Sequence, residues 1–411
     1  MKKRVIIIGG GAAGSIAALA AAGSGAEVQI LEQNEMIGRK ILSTGNGRCN
    51  FTNRFQAPSC YRSENAGFPW EVIGKFPEPE TTAFFEKLGI YPKDKNGYLY
   101  PWSEQASSVR EALEAALELA KIRIHTGVHV FGIVPKKNGF QVSFSKDGKK
   151  GMISGDAVIL ATGSKAAAKL GSDGSGYDLA KMLGHKLVPV VPALVQLRCR
   201  EKLYRQVAGV RTHGKVTVFI DGKETASDTG ELQLTDYGIS GIPVFQLSAA
   251  VSEALQTNKK ISASIDFFPA VPLSKWNEFC CRQYQACCGK HVRFLAQGIL
   301  PSKLAQLFIE RSPLKAQDIV TAANKNAVFS MLQNMRALKT VVIGTNPAQN
   351  AQVCTGGISL QEVTDDLEAK RFPGLYLCGE LLDVDGRCGG YNLQWAWTSG
   401  QIAGTAAAHE E

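Results

Sequence analysis

The chain contains ten cysteines but no pair spaced as CxxC, so it lacks the spacing of a zinc ribbon, and we predict no metal site. No signal peptide is recognised, because a strand-like run begins at Arg4 and the small residues after it carry no cleavage pattern. The sequence has no run of five or more like charges, which excludes a basic tail. These absences favour a cytoplasmic protein with free thiols.

Only one stretch is long and apolar enough to suggest a membrane span. Residues 5–26 are nearly uncharged, but they include six glycines, three of them consecutive at 9–11. A strand, a tight turn and a short helix explain this stretch better. We therefore expect no contact with a membrane.

The composition is that of a globular protein. Hydrophobic residues make up 45% and charged residues 20% of the 411 positions, which excludes a disordered or fibrous chain. The length suggests two or three domains. A net charge of +9 permits binding to an anion, a nucleotide or RNA, and it establishes none of them.

The hydrophobic pattern predicts an α/β domain at both ends of the chain. The opening reads as strand, helix and strand over 4–8, 12–22 and 27–31, followed by a long polar loop over 35–53. An amphipathic helix is predicted over 104–121, and strands over 122–124, 128–134, 140–145 and 157–160. After Pro189 the pattern changes to short strands over 190–265 and helices over 273–335. The α/β character returns from Val353, so we expect one domain split by an insertion.

The first motif is GxGxxG over 9–14, directly after a strand and at the start of a helix. Gly9 permits the tight turn, Gly11 lets the backbone approach a pyrophosphate, and Gly14 lets helix and strand pack closely. The helix N-terminus offers free N–H groups to phosphates. Glu32 ends the next strand, where a carboxylate accepts hydrogen bonds from ribose hydroxyls and disfavours a 2′-phosphate. Together these features predict a dinucleotide site.

Three further segments bear on which dinucleotide binds. Small residues and backbone donors over 38–50 suit a loop along a diphosphate and a flavin, although a solvated basic loop is the alternative. A short buried strand over 375–377 is followed by Gly379 and Glu380, an acid placed to hold ribityl hydroxyls. The segment 386–394 leads into a helix over 395–408, whose N-terminus would stabilise negative charge on a reduced ring. A simple turn and a glycine cap are the alternative for these two segments.

These motifs, read together, are recognisable. The sequences GGGAAG at 9–14, GRKILSTGNGRCNFTN at 38–53 and GELLDVDGRCGGYNLQWAWTSGQIAG at 379–404 resemble a family of bacterial FAD-dependent oxidoreductases. The segments 234–243 and 355–358 are similar to inner segments of that family. Its members include a bile-acid reductase, proteins called aminoacetone oxidases and a ribosomal-RNA dihydrouridine synthase.

The resemblance implies a split Rossmann-like FAD-binding domain, interrupted by a β-rich, barrel-like subdomain and a small helical subdomain. The expected boundaries are 1–189 and 346–411 for the FAD domain, 190–270 and 336–345 for the β-rich part, and 271–335 for the helical part. The residues expected to bind FAD are Gly9, Gly11, Ala13, Gly14, Glu32, Gln33, Arg39, Lys40, Gly45, Arg48, Val128, Val130, Thr162, Gly163, Gly379, Glu380, Asp383, Asn392, Leu393 and Gln394.

A nicotinamide cofactor is expected only as a transient co-substrate, NADH or NADPH. The glycine-rich stretch over 171–176 lacks a preceding strand and is interpreted as a loop, so it does not predict a second dinucleotide domain. A disulfide reductase is disfavoured, since Cys49 has no other cysteine within ten residues. Cys49 and His185 are interpreted as structural residues, and the four cysteines over 280–288 as buried helix residues.

The expected chemistry is reduction of a C=C bond conjugated to a carbonyl. Such a reaction needs hydride at the β-carbon, a proton donor at the α-carbon and donors to the enolate oxygen. Tyr237, Tyr391 and Arg387 are the candidates, because they lie in or beside the matched motifs, and ordinary packing is the alternative for each. A steroid-like enone or dienone, resembling a 3-dehydro-bile acid, is the expected substrate. A ribosomal uridine, an amine oxidised by oxygen and a flavin-binding sensor stay open, and the oligomeric state is not predicted.

Overall fold

A computed structural model describes residues 2–409 and divides them into two compact units. The divisions lie between Val191 and Pro192 and between Pro347 and Ala348, so the second unit is inserted into the first. Each unit is described by itself below.

The first unit contains most of the strands and six helices. Its strands are β1 Arg4–Ile8, β2 Glu27–Leu31, β3 Thr52–Asn53, β4 Tyr61–Arg62, β5 Pro92–Lys95, β6 Tyr98–Pro101, β7 Arg123–His125, β8 Val128–Lys136, β9 Gly139–Lys146, β10 Lys149–Gly155, β11 Ala157–Leu160 and, extending past the division, β12 Leu187–Ala193. Its first five helices are α1 Ala12–Gly23, α2 Phe68–Lys75, α3 Glu78–Lys87, α4 Ala106–Leu119 and α5 Ser175–Met182.

The second unit contributes strands β13 Leu197–Cys199, β14 Arg211–Ile220, β15 Lys223–Thr235, β16 Gly238–Gly241, β17 Ile261–Asp266 and β18 Leu338–Thr345. Its helices are α6 Ile242–Gln256, α7 Leu273–Cys287, α8 Val292–Gln297, α9 Ser302–Glu310 and α10 Lys325–Asn334. The chain then returns to the first unit with β19 Val353–Ile358, β20 Leu375–Leu377, β21 Asp385–Gly386 and α11 Tyr391–Ala408.

A five-stranded parallel sheet, in the order β20-β11-β1-β2-β7, forms the centre of the first unit. Strand β11 is buried throughout and its neighbour β1 is buried from Val5 onward, with Ile7 opposite both Ile159 and Ile30. A parallel sheet with both faces covered requires such runs. Helices α1 and α11 pack closely on each other, since a methyl group at Gly400 would lie 2.3 Å from the carbonyl oxygen of Ala13.

Three smaller sheets complete the part of the first unit that bears on the site. Strands β8, β9 and β10 form an antiparallel sheet in the order β10-β9-β8. Strands β3, β6 and β5 form a second antiparallel sheet, and β4 pairs with β21. The last pair joins the first third of the chain to its C-terminal segment.

The second unit is a closed barrel of six strands in the order β13-β16-β15-β14-β17-β18, with its own hydrophobic core. The four helices α7–α10 contribute to that core. The predicted fold class is confirmed: a split Rossmann-like fold is interrupted by a barrel and helices. None of the helices formed by residues 2–409 is both long and apolar enough to cross a membrane.

Several local predictions were wrong. The region 190–265 contains the 15-residue helix α6, and β14 and β15 span 10 and 13 residues, so its strands are not all short. The last helix begins at Tyr391 rather than at Trp395. The loop over 35–53 includes the 3-10 turns of Ile41–Gly47 and the strand β3. Cys281 and Cys288 are exposed, because Cys281 faces solvent on α7 and Cys288 lies just beyond the end of that helix.

Candidate functional site

The turn between β1 and α1 leaves room for a ligand at the start of the helix. A methyl group at Gly14 would lie 1.9 Å from the carbonyl oxygen of Gly9, so turn and helix are in direct backbone contact. At Gly11 the described residues place no atom within 4 Å of the same position. Gly11 precedes α1 and has no side chain to cap it, which leaves the first N–H groups of α1, including that of Ala13, available to an anion.

The carboxylate of Glu32 lies beside this turn, at the end of β2. It is 6% exposed and accepts hydrogen bonds from the backbone N–H of Gly10 at 2.6 Å and of Asn34 at 2.8 Å. The backbone of Val128 in β8 donates to the carbonyl of Glu32 at 2.9 Å, which brings β8 to the same strand end. Val130 follows in β8 and is buried. The acid is therefore held in one position next to the free end of α1.

The loop after β2 is tied to the C-terminal segment by an ion pair. Lys40 Nζ lies 2.6 Å from Glu380 Oε2, and both side chains are mostly buried. Ser164 Oγ also donates to Glu380 at 3.2 Å. Neither the spacing nor the composition of the sequence indicates this pairing, because its members lie 340 positions apart.

Two polar atoms near these segments are buried and have no hydrogen-bond partner among the described residues. They are Oδ1 of Asn50, which follows the Gly45 turn, and Oγ1 of Thr162, which follows β11. Buried polar groups in proteins are almost always satisfied, so unpaired atoms of this kind point to a missing partner. Gly163 follows Thr162 in a left-handed conformation (φ +73°).

Three of the predicted cofactor residues use their side chains within the protein. Gln33 Nε2 donates to the carbonyl of Gly171 at 2.7 Å. Arg39 is exposed and donates to Asn34. Arg48, a fourth predicted residue, is exposed. Gln394 is fully buried, and its amide bonds Thr52, Phe76, Thr81 and Thr398. A role of Gln394 toward a cofactor would therefore have to come from its backbone.

The C-terminal segment brings the remaining predicted residues to the first turns of α1 and α11. A methyl group at Gly379 would lie 2.9 Å from Cβ of Ala13, and the Gly379 N–H donates to Ser399. Asn392 accepts from the N–H of Gly386 at 2.8 Å and donates back to its carbonyl. Leu393 is half-buried beside a small apolar cluster.

Two aspartates of this segment are buried and are not solvated by bulk water. Asp383 accepts from the Glu64 N–H at 2.8 Å, and burial raises the pKa of its carboxyl. Asp385 is 2% exposed and forms an ion pair with Arg62, although burial raises its pKa as well. Sequence reasoning missed Asp385 and Arg62, because the pairing of β4 with β21 has no local signal.

Two of the three candidate catalytic residues, Tyr391 and Arg387, belong to the first unit, and Tyr237 belongs to the second. Tyr391 is 6% exposed, lies edge-on to Tyr61 with ring centroids 6.0 Å apart, and has its pKa raised by burial, so its hydroxyl keeps its proton at neutral pH. Arg387 is exposed in the same segment. Tyr237 belongs to the barrel, in the turn between β15 and β16, where the guanidinium of Arg198 lies 5.7 Å from its ring centroid.

The structural interpretations of Cys49 and His185 agree with their surroundings. Cys49 is fully buried, and burial raises the pKa of its thiol to about 12, so it is not a thiolate at neutral pH. His185 Nδ1 lies 3.1 Å from Glu362 within the protein.

The arrangement fits a dinucleotide. It offers free N–H groups and open space at the start of α1, a fixed acid beside them, and unpaired buried polar atoms from the segments that the sequence predicted. Glu32, Lys40 and the adjacent pair Gly379 and Glu380 come from three segments, which the fold ties to the turn between β1 and α1 or to one another.

The match to a family of known proteins agrees with this fold. The family described as HI0933-like protein Rossmann domain matches residues 3–406. The chain is 46% identical to a 3-dehydro-bile acid delta(4,6)-reductase of Clostridium scindens, over 98% of this chain and 99% of that protein. It is 28% identical to a ribosomal RNA dihydrouridine synthase of Escherichia coli, over 96% and 95% of the two chains. A solved flavocytochrome c3 fumarate reductase is similar over 99% of this chain and 78% of its own, with 16% identity and a TM-score of 0.49.

Proposed function

The chain belongs to the family of HI0933-like proteins, with a Rossmann-type FAD-binding fold, and from this premise we propose that it is a steroid enone reductase. In this proposal FAD, reduced by NADH or NADPH, serves to reduce a C=C bond conjugated to a carbonyl in a 3-dehydro-bile acid. The observation that carries the proposal is the 46% identity, over 98% of the chain, to a reductase of that name.

The residues of the first unit supply what such a cofactor needs. The N-terminus of α1 would bind its diphosphate, and Glu32 would accept from ribose hydroxyls. The Lys40–Glu380 pair would hold the loop over 38–50 against the C-terminal segment. When bound, FAD supplies the acceptor and donor of hydride.

The protein must supply the proton that accompanies the hydride. The β-carbon of the enone gains a hydride and the α-carbon gains a proton, so the product carries two more hydrogens than the substrate. Tyr391 is proposed as the proton donor, because it is a phenol protonated at neutral pH in the segment expected at the flavin. Arg387, which is exposed in the same segment, is proposed as a donor to the substrate carbonyl.

Anaerobic absorbance spectroscopy of the FAD-loaded protein tests the proposal. We expect NADH or NADPH to bleach the flavin band, and a 3-oxo-4,6-diene bile acid to restore it. Tyr391→Phe should slow the restoration about 100-fold and leave the bleaching unchanged, while Tyr61→Phe serves as the matched control. Bleaching that the bile acid does not reverse would refute the steroid as substrate and favour a ribosomal uridine, the substrate named for the 28% identical relatives.

A further inference from the structure

The hairpin of β5 and β6 presents an aromatic and basic face that the function above does not explain. Residues alternate between the two faces of a strand, and residues opposite each other on paired strands share a face. Lys93 lies opposite Tyr100 and Lys95 opposite Tyr98. Tyr91 and Trp102 extend the same face, with ring centroids 5.9 Å apart. We call these six residues the aromatic–lysine face.

The two faces of this hairpin differ in what covers them. Leu99 and Pro101, on the opposite face, are buried in the protein. Tyr91 is 66% and Trp102 62% exposed, and Tyr98 is 38% exposed. Large aromatic rings bury much apolar surface when they are covered, so a row of exposed rings indicates a surface that binds something.

The charge of the aromatic–lysine face is positive. Glu104 accepts from both Lys93 and Lys95, and these two ammonium groups lower the pKa of its carboxyl to about 2. Two positive charges are thus paired with one negative charge. The ammonium groups also lie over rings, with Lys93 Nζ 5.8 Å from the Trp102 ring centre and Lys95 Nζ 5.6 Å from that of Tyr100. One positive charge is left for an anionic ligand that also covers the rings.

This face is continuous with the candidate cofactor site. A methyl group at Gly389 would lie 2.6 Å from Cε1 of Tyr98, and one at Gly45 would lie 3.4 Å from Cε1 of Tyr100. Both glycines belong to segments expected at the flavin. Trp102 is four residue steps after Tyr98, which corresponds to about 13 Å of extended chain. A flat ring system of that order of length would reach from the cofactor site to the exposed end of the face.

We propose that the aromatic–lysine face is where the substrate docks, with the rings packing against an apolar polycyclic skeleton and Lys93 and Lys95 attracting its carboxylate. The inference rests on the proposed function and deepens it by naming the residues that select a carboxylate-bearing steroid. RNA, which also combines stacking surfaces with negative charge, is the competing occupant that the test must separate.

The test measures both turnover and binding with the FAD-loaded protein. Trp102→Ala should raise KM for the bile acid about tenfold and change kcat less than twofold. Lys93→Gln should raise KM about threefold for the carboxylate-bearing substrate and leave KM for a neutral 4-ene-3-oxo steroid unchanged. Phe131→Ala and Lys150→Gln are matched controls, because Lys150 Nζ likewise lies 5.7 Å from the exposed Phe131 ring and the pair is outside the face.

Calorimetric binding of a saturated 3-oxo bile acid gives a readout that does not depend on turnover. We expect the same tenfold and threefold losses of affinity in the two variants, with unchanged flavin content and Tm. An unchanged KM and Kd in Trp102→Ala would overturn the docking surface even if the wild type reduces the steroid. If the wild type reduces no steroid, the proposed function fails. Salt-sensitive binding of an unmodified ribosomal RNA transcript that Trp102→Ala abolishes would assign the face to RNA and overturn the steroid inference.

Discussion

Helices α1 and α11 both begin after a glycine, yet their first turns differ in what surrounds them. At Gly11 the neighbourhood is open, whereas a methyl group at Gly390 would lie 2.6 Å from the carbonyl oxygen of Thr52. Gly390 also has φ +95°, and the Asn392 side chain bonds the backbone of Gly386 just before the helix. The same sequence signature thus marks an uncrowded first turn in one case and a turn packed against Thr52 in the other.

The largest expected effect concerns the packing behind the α1 turn. Gly14→Ala places a methyl group 1.9 Å from the Gly9 carbonyl oxygen, so turn and helix must separate. We expect the free energy of unfolding to fall by about 3 kcal/mol, measured by chemical denaturation of the protein. Gly23→Ala, near the other end of α1, meets no atom within 4 Å and is the control that should not destabilise. Equal stability of the two variants would contradict the packing argument.

A smaller loss is expected at the α11 turn. Gly390→Ala combines a left-handed backbone with a contact to Thr52, and we expect a loss of about 2 kcal/mol by the same measurement. Gly127→Ala, which has φ +68° and nothing within 4 Å, isolates the backbone contribution. A loss at Gly390 no greater than at Gly127 would show that the Thr52 contact is not what distinguishes the α11 turn.

The smallest effect on stability is expected at Gly11, where the consequence should be for binding. Gly11→Ala meets no atom and needs no unusual backbone, so the stability of the FAD-free protein should change by less than about 0.5 kcal/mol. Its methyl group would occupy the space left for a diphosphate, and we expect FAD affinity to fall about tenfold, measured by fluorescence titration. Undiminished FAD affinity would place the diphosphate elsewhere and remove the contrast with α11.

The sequence predicted the elements around α1 closely, because their signals are local. The strands β1 and β2 have the predicted bounds, and α1 extends one residue beyond its predicted end. Strand β1 follows from a continuous β-branched run, β2 from alternating apolar residues, and α1 from an alanine-rich stretch bounded by glycines. Helix α6, Ile242–Gln256, was missed because its apolar start, with Pro243 in the first turn, reads as easily as a buried strand.

Most of the candidate site was predicted as separate segments, and their contacts were not. The ion pairs Lys40–Glu380 and Arg62–Asp385 form because distant segments pair in space. The local sequence of these segments does not indicate which segment each one pairs with. The aromatic–lysine face, in contrast, does have a local signal in the sequence. Aromatic residues and lysines occupy every second position before the Asn96-Gly97 turn and aromatic residues do so after it, so the spacing of a two-sided hairpin was present in the sequence and was overlooked.

The pairing of Lys40 with Glu380 has a consequence for the order in which the protein is made. A ribosome synthesises the loop that carries Lys40 early and the segment that carries Glu380 only after the whole inserted barrel. Strand β20, at the edge of the central sheet beside β11, and helix α11, packed on α1, are produced in that same final stage. The first unit therefore stays incomplete until translation is almost finished, and until then β11 has no strand on the side that β20 will occupy. We therefore expect a cofactor that contacts Glu380 to bind the finished chain rather than the nascent one.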